Sequence, residues 1–220
     1  MTARHRASEE TILSMAEQIL LLDEAHSGML LSGVLPAAAA MVELAIQRRV
    51  GLKDPDPSKK LSMSRKLVVL NAAPTGVPEA DAVLQLMVND SRPRSAYSMV
   101  SRMAGPVDTV VGDNLAARGL VKRLYPKGFV DHSLRYQLLN REVQRHVMLS
   151  ASATRVVLAT TTDVRLGATV DLIRNGGDRM SGEAGAGIQP TLKYPGYPDD
   201  IRSTVDAILN AAGNFTSGGG

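Results

Sequence analysis

The stretch from Pro36 to Ile46 constrains this chain more than any other. It reads Pro-Ala-Ala-Ala-Ala-Met-Val-Glu-Leu-Ala-Ile, a helix apolar on nearly all sides. A helix with no polar face has to sit in the middle of its domain, with other elements covering every side. Pro36 fits a first helical turn, where its missing N–H costs nothing. Gln47-Arg48-Arg49 places cations at the end of the helix, where the dipole is negative. Only 3% of the chain is aromatic and Trp is absent, so the core must be built from Leu, Val, Ala, Ile and Met. That supply suits packed helices better than a sandwich of sheets.

Further helices follow from spacing. Ile12, Met15, Ile19 and Leu22 recur at helical intervals behind a cap at Ser8, with the end expected near Asp23 to His26. Glu79 to Val88 is amphipathic, with Ala82, Val83, Leu86 and Met87 expected inward. Ala96 to Ala104 and Val107 to Arg118 read as two helices, the second closed by Gly119 in the left-handed conformation. Asn140 is placed to cap a helix through Leu149 that aligns Leu139, Val143 and Val147 on one face. Val164 to Ile173 is compatible with helix, and Ile201, Val205, Ile208 and Leu209 share a face of a last one.

Extended structure is expected at Lys66 to Leu70, and at Leu120 to Leu124 returning through Phe129 to Tyr136. The predicted fold is therefore mainly α: a compact helical bundle around a central apolar helix, with a small β-hairpin. Residues 1–174 form the helical domain. Residues 175–200 form a Gly/Pro-rich loop or arm, 201–213 a C-terminal helix of the same domain, and 214–220 a disordered tail.

The sequence narrows the chemistry by what it lacks. With no cysteine there is no disulfide and no thiolate zinc site. His5, His26, His132 and His146 are scattered, so no metal site is expected. No Gly-x-Ser-x-Gly elbow occurs. The Gly-rich run from Gly182 to Gly187 lacks the strand–loop–helix frame of a phosphate loop. No catalytic residue and no cofactor are expected. No window approaches a spanning helix, and Met1 to Ser8 carries arginines without an apolar run behind them. The expected location is the cytoplasm, with any membrane met peripherally from one side.

Three stretches, in order and spacing, resemble the Golgi phosphoprotein 3 family. The first is the opening helix, Leu13-Ser14-Met15-Ala16-Glu17-Gln18-Ile19-Leu20-Leu21-Leu22. The second pairs the Glu43-Leu44-Ala45 helix and its basic end with Lys66 to Leu70 leading into Ala73-Pro74-Thr75-Gly76. The third is Asn114 to Val121 followed by the hairpin and Arg135-Tyr136. The resemblance covers roughly Thr11 to Leu149. It implies a non-enzymatic, peripheral, lipid-binding adaptor. It also implies phosphatidylinositol 4-phosphate as ligand, a membrane-protein cargo, and a hairpin that supports a homo-oligomer.

The family's own pocket residues have no counterpart here. Gly28 and Met29 stand where its Trp would be, Ala37 where an Arg opens the central helix, and Gly105 to Val110 where it is Arg-rich. Other arginines are the candidates for an anionic, phosphoinositide-like headgroup: Arg92, Arg94 and Arg102 together, and Arg48 and Arg49 at the end of the central helix. Tyr125, Lys127 and Phe129 at the hairpin tip are candidates for a membrane or oligomer contact. The alternative is a winged-helix-like DNA-binding regulator, with Lys122, Arg123, Lys127 and Arg135 on phosphates. Asp108 and Asp113 on the preceding helix oppose that reading, and the main one has no nucleic-acid partner.

Overall fold

A computed structural model describes residues 13–27, 34–53, 65–90, 92–124, 135–139, 164–175 and 197–217. Six helices are described: α1 (Met15–Ser27), α2 (Val34–Ile46), α3 (Pro78–Asn89), α4 (Ala96–Ala117), α5 (Val164–Asn175) and α6 (Asp199–Ser217). A three-stranded antiparallel sheet, ordered β1 (Val50–Leu52), β2 (Lys66–Val69) and β3 (Arg94–Ser95), lies among them. A separate antiparallel pair joins β4 (Val121–Leu124) to β5 (Arg135–Leu138), with Val121 opposite Leu138. The mainly helical expectation holds.

α2 is the axle of the bundle. Every residue from Val34 to Ala45 is buried, and α1, α3, α4, α5 and α6 all pack on it. The run of Ala37 to Ala40 lets those helices approach closely, because no long side chain holds them off. α6 lays Ile201, Val205, Ile208 and Leu209 inward, as their spacing predicts. Tyr197, just ahead of it, is buried and donates its hydroxyl to Asp171 of α5 at 2.7 Å.

The helix ends follow hydrogen-bond logic. Ser14 and Glu17 form a reciprocal capping box at the start of α1: the Glu17 N–H reaches Ser14 Oγ at 3.2 Å and the Ser14 N–H reaches Glu17 Oε2 at 2.9 Å. Ser8, expected to cap that helix, lies outside the described residues. α4 closes on Gly119, whose φ of 70° permits the Gly119→Ala116 and Leu120→Leu115 backbone bonds. α2 closes with the same pair of bonds, Arg48→Ala45 and Arg49→Leu44, but the left-handed position is Arg48 with φ 54°. A non-glycine residue there costs about 1 kcal/mol.

Three expectations need correction, and one strand went unread. The helices read as Ala96–Ala104 and Val107–Arg118 are one, α4, running through Pro106. Pro106 and Gly105 lie on its exposed face, and Gly105 has no Cβ to clash with the proline ring. Met103, Val107 and Val111 stay buried on the other side, and their packing outweighs the missing bond. On α3 the inward stripe is Ala80, Val83, Leu84 and Met87; Leu86 is 40% exposed and Ala82 only half-buried. Val50–Leu52 is a strand, unread in the sequence because it is three residues long. The tail expectation fails at its start: α6 continues to Ser217, and Phe215 stacks on Tyr97 with ring centroids 4.2 Å apart. The expected helix after Asn140 and most of the 175–200 arm lie outside the described residues; Leu139 is exposed.

The β4–β5 pair docks on α4 through Tyr136. Its ring is 3% exposed and lies against Gly112, while its hydroxyl donates to the Asp108 carbonyl at 3.4 Å. Asp108 is buried there, its Oδ1 has no hydrogen-bond partner, and burial pushes its carboxyl up to about 6 from 3.8. The folded state therefore holds a proton that the unfolded chain releases. Stability is fullest below pH 3.8 and falls as pH rises to about 6, by roughly 3 kcal/mol at most. Asp108→Asn is expected to raise the urea midpoint at about pH 7.5 by an amount worth about 2 kcal/mol, and to change it little at about pH 4.

Candidate functional site

The turn between α3 and α4 gathers three of the five candidate arginines. Asp90 ends α3, and its Oδ1 accepts the Arg92 backbone N–H at 3.2 Å. Its carboxylate is hydrogen-bonded by Nε of Arg94 and lies 3.8 Å from the Arg102 guanidinium. The Arg94 hydrogen bond holds the Asp90 carboxyl below its usual range. Strand β3 fixes Arg94 by pairing it with Leu67, and Ser95 caps α4, which carries Arg102 about two turns further on. Arg92 is exposed, and Arg102 is 55% exposed. Two guanidiniums share the Asp90 carboxylate and Arg92 adds a third cation to the same turn, so the cluster keeps a surplus of positive charge.

An apolar cavity of about 360 Å³ adjoins the cluster. Leu67, Val69, Met87, Val88 and Met99 line it, with Asp90 and Arg92 at its polar side. Apolar side chains and Arg92 therefore border the same opening.

The other candidates have other work. Arg48 pairs with Asp200 of α6 at 2.6 Å, and Arg49 donates to the Pro74 carbonyl at 3.1 Å. Both fasten the end of α2 to neighbouring segments, so neither belongs to the Asp90 cluster. Arg123 pairs with Asp113 at 3.1 Å. Tyr125, Lys127 and Phe129 lie outside the described residues.

A second cavity, of about 700 Å³, opens where the starts of α1 and α3, the end of α4, α2 and α5 converge. Its wall holds three buried glutamates. Glu17 accepts from Arg118 at 2.8 and 2.9 Å. Glu43 accepts from Arg165 at 2.7 Å and from Gln47 at 2.7 Å. Glu79, 1% exposed, has the Ser14 hydroxyl as its side-chain partner, and its Oε1 has none. Leaving such an oxygen unsatisfied costs about 1–3 kcal/mol. Burial pushes the Glu79 carboxyl up; the charges of Glu17 and Glu43 push the same way and the Ser14 bond pulls it down.

The helix ends explain part of this arrangement. Glu17 lies in the first turn of α1 and Arg118 caps the end of α4, so each complements its own helix dipole while pairing with the other. Glu79 is delivered by the turn before α3. Asp81 accepts the N–H groups of Thr75 at 2.6 Å and Gly76 at 3.1 Å, and Gly76 takes a φ of 82°.

The Golgi phosphoprotein 3 (GPP34) family model matches residues 15–179. This chain belongs to that family. No curated protein sequence gives a significant match. In this Golgi phosphoprotein 3 family member the motifs read in the sequence have structural tasks. The Ala73-Pro74-Thr75-Gly76 turn receives Arg49 and is locked by Asp81. The Glu43-Leu44-Ala45 motif contributes the buried carboxylate that holds α5. No helix among the described residues is long and apolar enough to cross a membrane. No group of His, Cys, Asp and Glu among them is arranged to hold a metal ion.

Sequence reasoning missed the five charged residues of the larger cavity. One signal was available: Glu43 is the sole charged residue of α2, and a charge on an all-buried helix demands a partner. Nothing local announces Glu79.

Proposed function

We propose that this protein is a peripheral membrane adaptor, without enzymatic activity of its own, that holds anionic lipid headgroups with Arg92, Arg94 and Arg102. The observation that carries this reading is the gathering of three arginines at one turn, two with their guanidiniums on the Asp90 carboxylate and the third, Arg92, exposed at the side of an apolar cavity. A lipid at an interface offers phosphate oxygens beside hydrocarbon, and this opening offers donors beside hydrocarbon. A phosphoinositide, with several anionic oxygens on one ring, suits several arginines better than a single phosphate does. Family membership supports the same role. The hairpin tip, with Tyr125, Lys127 and Phe129, is the proposed contact to a second copy or to the bilayer, and a membrane-protein cargo is the proposed partner of the adaptor.

Vesicle sedimentation tests the reading. The full chain is expected to pellet with phosphatidylcholine vesicles containing phosphatidylserine or phosphatidylinositol 4-phosphate, and not with phosphatidylcholine alone. Pelleting should fall as salt is raised, because the contacts are screened. No pelleting at low salt contradicts the proposal. If duplex DNA displaces the protein from anionic vesicles, the winged-helix reading replaces it.

A further inference from the structure

The cavity beside the arginine turn has an apolar wall that runs from the core to the surface. Leu67, Met87 and Met99 are buried, Val69 is half-buried and Val88 is exposed, and all five line it. Arg92 borders the same space and is exposed, and among the described residues its guanidinium is paired with no carboxylate. Asp90 borders it too, but Arg94 and Arg102 lie on that carboxylate.

A strand edge opens at the same wall. β2 bonds to the β1 side through Lys66 and Leu70. The Lys66 carbonyl accepts from the Lys53 N–H at 2.8 Å, and the Leu70 N–H donates to the Arg49 carbonyl at 2.7 Å. Backbone groups alternate along a strand, so those of Leu67 and Val69 point the other way. Leu67 pairs there with Arg94, at the start of β3. Val69 lies past the end of that pairing. Among the described residues its N–H and C=O have no backbone partner. A half-buried donor and acceptor therefore stand unpaired where apolar side chains and Arg92 meet.

We propose that this cavity seats hydrocarbon of the bound lipid, so that its ligand is an anionic amphiphile held by chain and phosphate together. The inference rests on the lipid reading of the arginine turn and extends it from the headgroup to the chain. A volume of about 360 Å³ is at the small end of small-molecule sites, so it takes a short stretch of chain rather than a whole lipid. Met87 and Met99 line it with unbranched side chains that repack around a guest. Inorganic phosphate would leave the apolar wall uncovered. A neutral alcohol would leave the surplus charge of the turn without a counterion. An alkyl phosphate meets both, and its oxygens can accept from the Val69 N–H as well as from Arg92. Burial of methylenes is not screened by salt, so part of the affinity persists when the ionic part is weakened.

The test is titration of the full chain with methyl, butyl and hexyl phosphate, with 1-hexanol alongside, followed by calorimetry and amide shifts. Hexyl phosphate is expected to bind at one saturable site. Affinity is expected to rise roughly two- to fourfold with each added methylene, so that hexyl phosphate exceeds methyl phosphate by about tenfold or more. The Val69, Val88 and Arg92 amides are expected to move, and those of Gly112 and Ala117 to stay. Arg92→Ala is expected to remove most of the preference for hexyl phosphate over hexanol. Val88→Asp, at an exposed position, is expected to abolish hexyl phosphate binding. The chain-length series needs no variant, so it decides even where a substitution disturbs folding. Equal affinity for methyl and hexyl phosphate, equal affinity for hexanol, amide shifts confined to other regions, or no binding overturns the inference. Vesicle pelleting separates it from the reading it rests on. A protein that pellets with anionic vesicles but does not distinguish methyl from hexyl phosphate keeps the headgroup site and loses the chain site. Chain-dependent binding of hexyl phosphate without pelleting supports the cavity's ligand class and overturns the membrane reading.

Discussion

Replacing Gly112 with alanine is expected to cost about 3 kcal/mol and to lower the melting temperature by roughly 6–12 °C. A Cβ at that position would lie 1.9 Å from Tyr136 Cζ and 2.3 Å from its hydroxyl. Neither group has room to yield a little. Gly112 sits on the buried face of α4, and Tyr136 is 3% exposed. The ring has to leave, and with it goes the contact that docks the β4–β5 pair on the helix bundle. The cost is then that of losing a buried aromatic side chain. Gly112→Ala combined with Tyr136→Leu is expected to recover part of the loss, because the smaller side chain leaves space for the new methyl. Thermal melts of the three variants check this. A Gly112→Ala protein that melts with the parent shows that Tyr136 does not occupy this position.

The second large effect is expected at the Glu43–Arg165 pair. Arg165→Ala leaves a buried carboxylate with Gln47 as its neighbour and no guanidinium. Breaking a fully buried pair in this way costs about 3–5 kcal/mol. Arg165 is itself 57% exposed, so water reaches the site and softens the penalty to about 2–3 kcal/mol. Glu43→Leu with Arg165→Met removes both charges and fills the space with hydrocarbon. That double variant is expected to lie within about 1 kcal/mol of the parent by urea midpoint. A double variant as unstable as Arg165→Ala would mean that the pair contributes through packing rather than through compensated charge.

Much of the fold was legible because its strongest signals are local. The alanine-rich run of α2 has no polar side, so burial followed from composition alone. The inward stripe of α6 and the glycine that closes α4 are likewise written in consecutive residues. Where reading failed, competing forces decided. Pro106 opposes helix locally, yet burial of Met103, Val107 and Val111 carries α4 through it. Arg48 occupies a left-handed position that sequence reasoning assigns to glycine, because α2 must stop and turn into β1 there.

The candidate sites divide in the same way. Arg92, Arg94 and Arg102 could be grouped because they are close in the chain, although Asp90, which organises them, was not singled out. The paired glutamates of the larger cavity could not be. Glu17 meets Arg118 across 101 residues and Glu43 meets Arg165 across 122, distances that only the packed bundle closes.

The proposed lipid site is built from the arginines around Asp90, and one measurement addresses it directly. Sedimentation with vesicles containing phosphatidylinositol 4-phosphate is compared for the parent and for the Arg92→Ala, Arg94→Ala, Arg102→Ala triple variant. Matched thermal melts show that both are folded. The triple variant is expected to stay in the supernatant at a lipid concentration that pellets the parent. A folded triple variant that pellets as the parent does would contradict the account.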